Sequence, residues 1–284
     1  MRDSNDIFVT AAEAMARFRA TVDQRPVAPP VDFDAIRDGF GTDVPADPSP
    51  PQDVFDQLLA AADPGITATA GPRYFGFVIG GALESASAAD MLAIAWDQPA
   101  FNATLSPASI AVEQVAGGWA KELLGIPASA SVGFVTGAQE ANTVGLAAAR
   151  HHVLAEHGWD VEQDGVQGAP RISVVVGDER HGTIDRSLRL LGLGTASAVP
   201  VRTDANGAIN GEHLEEVLAE ADGPTIVCLQ SGNVNTGACD DLERSCALAH
   251  AAGAWVHVDG AFGLWAAASP DFRHLTRGIA DADS

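Results

Sequence analysis

From residue 171 onward the chain alternates short β-branched runs with helix-forming stretches, and that rhythm restricts the possible folds more than any other feature. Residues 171–176, 197–201, 225–230 and 254–259 read as strands. Helical stretches at 183–191, 211–221 and 241–252 separate them, and Gly192 and Gly194 close the first of these. Strands that alternate with helices pair in parallel through right-handed crossovers. The expected fold is therefore α/β, a mostly parallel sheet flanked by helices. A further strand is expected upstream at 132–136, leading through Gly137 into a helix over 139–156. Helices are also expected at 87–96 and 106–124, the latter opened by Ser106-Pro107 and stopped by Gly125.

Residues 1–70 read as an N-terminal helical arm and 71–284 as the main domain. The arm has helical patterns near 7–18 and 54–62, separated by proline-rich passages at 26–30 and 45–51 that cannot continue a helix. Pro72-Arg-Tyr-Phe-Gly-Phe-Val78 is an aromatic extended run, expected to pack in the core, with the lining of a pocket as the alternative.

Composition excludes several function classes. The net charge of −22 leaves nothing to neutralise a nucleic-acid backbone, and it disfavours anionic membrane surfaces. The first twenty residues carry Asp3, Asp6 and Glu13 without an apolar signal core, and no long uncharged apolar run follows, so a cytoplasmic protein is expected. Cys228, Cys239 and Cys246 show no metal-ligand spacing and read as reduced thiols. His151, His152 and His157 lack a carboxylate or thiol at ligand spacing, so no metal site is expected. His257, inside a strand, reads as a hydrogen-bonded core residue. Against fifteen arginines there is one lysine, Lys121, read as a solvated surface residue.

In open parallel sheets, ligands bind at the C-terminal ends of the strands. Four loops lie there: Thr136-Gly-Ala-Gln-Glu-Ala-Asn142, Asp178-Glu-Arg-His-Gly182, Ser231-Gly-Asn-Val-Asn-Thr-Gly237 and Asp259-Gly-Ala-Phe-Gly263. The first is a tight strand-to-helix turn whose free N–H groups suit a phosphate, although small residues occur in many such turns. His181 can be a helix cap or a functional imidazole. Asp259 closes a buried strand, either as a turn carboxylate or as the partner of a cation. Neither a dinucleotide fingerprint nor a Walker lysine is present.

Taken in order, these segments resemble the pyridoxal-5′-phosphate-dependent group II amino-acid decarboxylases, a branch of the fold type I, aspartate aminotransferase-like enzymes. The resemblance runs from about residue 72 to the last residue. It rests on Pro72-Arg-Tyr-Phe-Gly-Phe77, Ser106-Pro107 with Val112-Glu-Gln114, Thr136-Gly-Ala-Gln-Glu-Ala-Asn142, His181, Leu191-Gly-Leu-Gly194, Asn235-Thr-Gly237, His257-Val-Asp-Gly-Ala-Phe-Gly263, Arg273-His-Leu-Thr-Arg-Gly278 and Ala282-Asp-Ser284.

The resemblance implies the large domain of such an enzyme, decarboxylating an aromatic or acidic L-amino acid, homodimeric when full length. It assigns Ala138 and Gln139 to the cofactor phosphate, His181 to one face of the pyridine ring, Ala261 to the other, and Asp259 to the pyridinium nitrogen. Family members carry a His-Lys pair shortly after Ala-Asp-Ser, and that lysine forms the Schiff base. The sequence stops at Ser284, so it reads as a partial chain, lacking that lysine and the small C-terminal domain, and inactive alone. Two other classes remain open: another fold type I reaction (aminotransferase, aldolase or desulfurase), and a lysine-less, non-catalytic binding module.

Overall fold

A computed structural model describes residues 6–284; residues 1–5, and with them Asp3, lie outside the described part. The chain divides into two compact units, Met1–Asp97 and Gln98–Ser284. Residues 71–97 thus lie in the first unit.

The first unit contains helices α1 (Asp6–Thr21), α2 (Phe33–Phe40), α3 (Pro51–Ala62) and α4 (Glu84–Ala95). Helix α2 was not anticipated, because prolines flank it. Its start is nevertheless encoded, since the Asp32 carboxylate caps it by accepting the Ala35 N–H at 2.9 Å. The aromatic run departs from expectation. Residues 75 and 77 do not pack inside: Phe75 is 93% and Phe77 92% exposed, and Phe77 and Val78 sit at positive φ. Turns at 71–78 take the place of an extended segment and turn the rings outward.

The second unit holds helices α5 (Pro107–Leu124), α6 (Ala138–Glu156) and the short α7 (Val161–Asp164), then strand β1 (Ser173–Gly177), α8 (Gly182–Leu190), β2 (Ala198–Val201), α9 (Gly211–Ala219), β3 (Thr225–Gln230), α10 (Leu242–Ala251) and β4 (Trp255–Asp259). The four strands form one sheet in the order β2-β1-β3-β4, all parallel. The chain adds β2 on one side of β1 and then β3 and β4 on the other, so the strand order reverses between β1 and β3, which is the topological switch point.

Alternation along β1 explains the layers. Val174 and Val176 face one side, where Leu146, Ala149 and Val153 of α6 and Ile184 and Leu188 of α8 bury them. Val175 faces the other side, with Val227 and Val256, against Leu214 and Leu218 of α9 and Leu242 and Cys246 of α10. With both sheet faces covered, each central strand is apolar throughout.

Residues 132–136 do not join the sheet. They are extended but belong to no ladder among the described residues, and Val132 and Phe134 are 43% and 56% exposed. Strand propensity was present there; a partner edge was not. Lys121 also differs from its sequence reading. It is half-buried at the end of α5, where its Nζ donates to the carbonyls of Ala128 (2.7 Å) and Ala130 (2.8 Å), tying down the chain that follows the Gly125 cap. No helix among the described residues is long and apolar enough to cross a membrane.

Candidate active site

A depression opens at the C-terminal ends of β1 and β3, at the switch point. Its wall includes Gly177, Arg180, His181, Gln230, Asp240 and Asp259. Two expected site residues, His181 and Asp259, therefore share one surface.

Asp259 ends β4 and is 8% exposed. Its two oxygens have separate partners. Oδ1 accepts the N–H of Ala261 at 3.2 Å, the expected turn bond, while Oδ2 accepts Asn142 Nδ2 at 3.1 Å. Both donors are neutral, so the buried carboxylate has dipoles around it but no cation bonded to it. Arg180, on the same wall, is engaged with Asp185 at 3.0 Å. The Cys228 thiol beneath is pushed up to about 12, chiefly by burial and then by the neighbouring Asp259 charge, so it stays protonated.

His181 caps α8. Its Nδ1 accepts the N–H of Thr183 at 3.4 Å and lies 2.9 Å from the Thr183 hydroxyl, and the exposed residue contributes to the wall of the depression. The same hydroxyl oxygen accepts the second N–H of Asn142 at 3.0 Å. One amide thus bridges the loops that carry His181 and Asp259.

Ala138 and Gln139 open α6 behind Gly137, which supplies no side-chain cap. Their N–H groups lie in the first turn of a 19-residue helix, at the positive end of its dipole. The Gln139 side chain is directed elsewhere. Its Nε2 donates to Ser187 Oγ (3.0 Å) and the Thr183 carbonyl (3.3 Å), and Oε1 is buried without a partner. At this turn the glutamine amide is thus engaged with α8, and any contact to an anion falls to the backbone N–H groups of the first turn. Glu140 reaches back to the Thr136 hydroxyl (2.6 Å) and N–H (3.2 Å), and these bonds hold its pKa below the usual carboxylate value. Ala261 is exposed on the loop after β4. Ala138, Gln139 and Ala261 do not line the depression itself.

Two glycines let the β3 and β4 loops touch. A Cβ on Gly232 would stand 2.7 Å from the Gly263 nitrogen, and one on Gly263 would stand 2.7 Å from the Ser231 carbonyl, which already accepts the Gly263 N–H at 2.8 Å.

Three site-lining or site-supporting residues were not singled out from sequence. Asn142 is 4% exposed and sits on the buried stripe of α6 with Leu146, Ala149 and Val153, so a polar residue in an apolar helical face was the available signal. Thr183 sits in the first turn of α8. Asp240 is 7% exposed and clamps two segments, accepting the N–H groups of Ile209 and Gln230, each at 2.7 Å. Burial pushes the Asp240 carboxyl up to about 6, against the opposing pull of those two bonds. His257 is a hydrogen-bonded core residue, as expected: its Nε2 is 3.0 Å from Asn142 Oδ1, and burial lowers its pKa to about 4. His151 and His152 are exposed; His151 stands 3.4 Å from Glu162. Cys228, Cys239 and Cys246 are free thiols.

A family model described as the pyridoxal-dependent decarboxylase conserved domain matches residues 34–284. Tryptophan decarboxylase 1 of Oryza sativa subsp. japonica is 30% identical, over 96% of this chain and 56% of that protein. Tryptophan decarboxylase TDC2 of Camptotheca acuminata is 27% identical, over 95% of this chain and 55% of its own length. The crystal structure of Oryza sativa TDC with PLP superposes with a TM-score of 0.86 at 27% identity, covering 99% of this chain and 63% of that one. The chain spans a little over half the length of these curated relatives.

Proposed function

This chain belongs to the pyridoxal-dependent decarboxylase family, and on that premise we propose that it forms the cofactor-holding part of a pyridoxal-5′-phosphate-dependent L-amino-acid decarboxylase, a carbon–carbon lyase. The observation that carries the reading is the Asp259 carboxylate. It is buried at the end of a central parallel strand, satisfied by neutral donors, and beside an imidazole. An ionised carboxylate in such a place is stabilised by a cation, and a protonated ring nitrogen supplies one.

The residues present fit the cofactor. Asp259 would hold the proton on the ring nitrogen. His181, with Nδ1 occupied by Thr183, would present its ring to one face, and the small Ala261 would leave room at the other. The N–H groups of Ala138 and Gln139 would bind the phosphate at the start of α6. When bound, the cofactor supplies the electron sink for the pair released as CO₂ departs. The protein orients the scissile bond and excludes water.

For substrate we propose an aromatic or acidic L-amino acid, with tryptophan tested first because the relatives described above bear its name. We further propose a cytoplasmic homodimer. The α5 stripe of Val112, Val115 and Trp119, which is 68%, 50% and 66% exposed, supports a covering second copy. Cysteines without disulfides support a reducing compartment.

Equilibrium dialysis tests the cofactor site. Binding of pyridoxal phosphate is expected to weaken roughly tenfold or more in Asp259→Ala, the scale of one lost charge-assisted bond. Equal binding by parent and variant would remove the assignment. For the reaction type, the whole protein supplied with cofactor and L-tryptophan, L-tyrosine or L-glutamate should release CO₂; a keto acid in its place would reassign it to transamination.

A further inference from the structure

We infer that Asn142 is a positioning residue for the Asp259 carboxylate, and that the buried His257 imidazole fixes which way the Asn142 amide faces. The inference rests on the cofactor reading above and extends it to a chain of groups behind the acid.

Each link in that chain has a direction. Asp259 Oδ2 can only accept, so the Asn142 group 3.1 Å away is its NH₂. The second N–H of that amide goes to Thr183 Oγ1 at 3.0 Å. Both donors of Asn142 are then used, and its Oδ1 is the atom left facing His257. An amide oxygen can only accept, so the His257 Nε2 at 3.0 Å must carry the proton. Nδ1 of the same ring is then an acceptor, and the Ser284 hydroxyl lies 3.0 Å from it. Ser284 Oγ in turn accepts the Trp255 indole N–H at 2.9 Å. Donors point one way from Trp255 through Ser284, His257 and Asn142 to Asp259, and a branch reaches His181 through Thr183.

The packing leaves the relay no slack. A Cβ on Gly145, one turn beyond Asn142, would lie 2.7 Å from His257 Cε1, so α6 crosses β4 with the imidazole filling the place of a side chain. A flipped Asn142 amide would set its oxygen against the Asp259 carboxylate and its N–H₂ against the His257 N–H. Two repulsive contacts in a buried site would replace two attractive ones. A proton on His257 Nε2 thus supports the rotamer that offers N–H to Asp259. With one oxygen held by Asn142 and the other by Ala261, the carboxylate cannot rotate, and its free lone pairs keep one direction.

The test separates positioning from a merely structural role by using two probes: pyridoxal phosphate, and its analogue with the ring nitrogen replaced by C–H. The parent chain should bind the pyridine form more tightly. Asn142→Ala should cut that preference roughly tenfold while affinity for the carbon analogue changes little. Equal loss for both probes overturns the inference but leaves the cofactor reading standing. A parent with no preference for the pyridine form overturns the cofactor reading, and the inference with it. Should Asn142→Ala fail to fold, histidine ring ¹⁵N shifts of the unaltered chain still decide: an Nε2–H tautomer for His257 is expected, and Nδ1–H breaks the relay.

Discussion

The two compact units solve the burial problem in opposite ways. In the second, α6, α8, α9 and α10 cover a sheet whose Val174, Ile226, Val227 and Val256 are fully enclosed. Among the described residues of the first, the buried hydrophobics are Val22 and Ala68, while Phe33, Phe75 and Phe77 are 75%, 93% and 92% exposed. Both units leave apolar side chains against solvent, Val112 and Trp119 of α5 among them, but only the second encloses a large apolar cluster of its own. The sheet unit carries its own core. The helical unit has apolar surface that calls for a cover, and its stability is not secured by internal packing.

The sharpest way to break that contrast is a pair of truncations. Leu146→Ala removes a side chain with no exposed surface from the α6 face of the core and should cost about 2–5 kcal/mol in denaturant unfolding. Phe77→Ala removes a larger side chain from an exposed turn and should change stability by about 0.5 kcal/mol or less. If Phe77→Ala proves as costly as Leu146→Ala, the burial contrast between the units is wrong.

The same contrast explains what the sequence could disclose. All four strands of the sheet lie within two residues of their expected limits, because a strand buried on both faces has few alternatives and glycines mark its ends. Residues 132–136 have the same local character, yet pairing is a property of two segments, and no partner edge receives them. Phe75 and Phe77 misled for a related reason: a large apolar residue states a preference for burial and does not supply the neighbour that provides it. His181 and Asp259 could be anticipated because strand ends are where such sheets place ligand-binding groups, and the resemblance to a known family assigned their roles. Asn142 could not, since its partners Asp259 and His257 are 117 and 115 positions away in sequence. Only its place on an otherwise apolar helical stripe hinted at it.

Within the sheet unit, two buried groups pull the pH dependence of stability in opposite directions. Asp240 has a folded pKa raised to about 6 from its ordinary 3.8. The folded state holds its proton longer, so its contribution is fully present below pH 3.8 and is lost as pH rises through 6. His257 has a folded pKa lowered to about 4 from 6.5. The unfolded state binds its proton first, so its contribution is present above pH 6.5 and is lost as pH falls through 4. Between pH 4 and 6 the two slopes oppose each other. Replacing His257 by Gln should therefore tilt the profile in that window, so that the variant loses stability relative to the parent as pH rises. The tilt should be at most about 1.4 kcal/mol per pH unit, the value for one proton. Urea unfolding at half-unit steps from pH 4 to 6.5 checks it. A difference between the two proteins that does not vary with pH would mean that the imidazole is not buried in its neutral form.

The smallest effect concerns the start of α6, whose first N–H groups are the ones proposed to bind the cofactor phosphate. Thr136 gives both its hydroxyl and its N–H to Glu140, tying the turn before α6 to the helix's first turn from outside the core. Thr136→Ala removes the shorter of these bonds, and because the pair is exposed it should lower stability only slightly. The Glu140 carboxylate should then titrate at a higher pH than in the parent, because the hydroxyl bond is the largest influence holding its pKa down. Carboxyl ¹³C titration reads this directly. The loss should not spread to the sheet, because Glu140 is exposed and the Leu146 face of α6 is anchored independently on β1 and β3. Amide exchange confined to residues 136–141 would agree with that independence. Faster exchange throughout α6 would mean that the helix is held by its first turn as much as by the core beneath it.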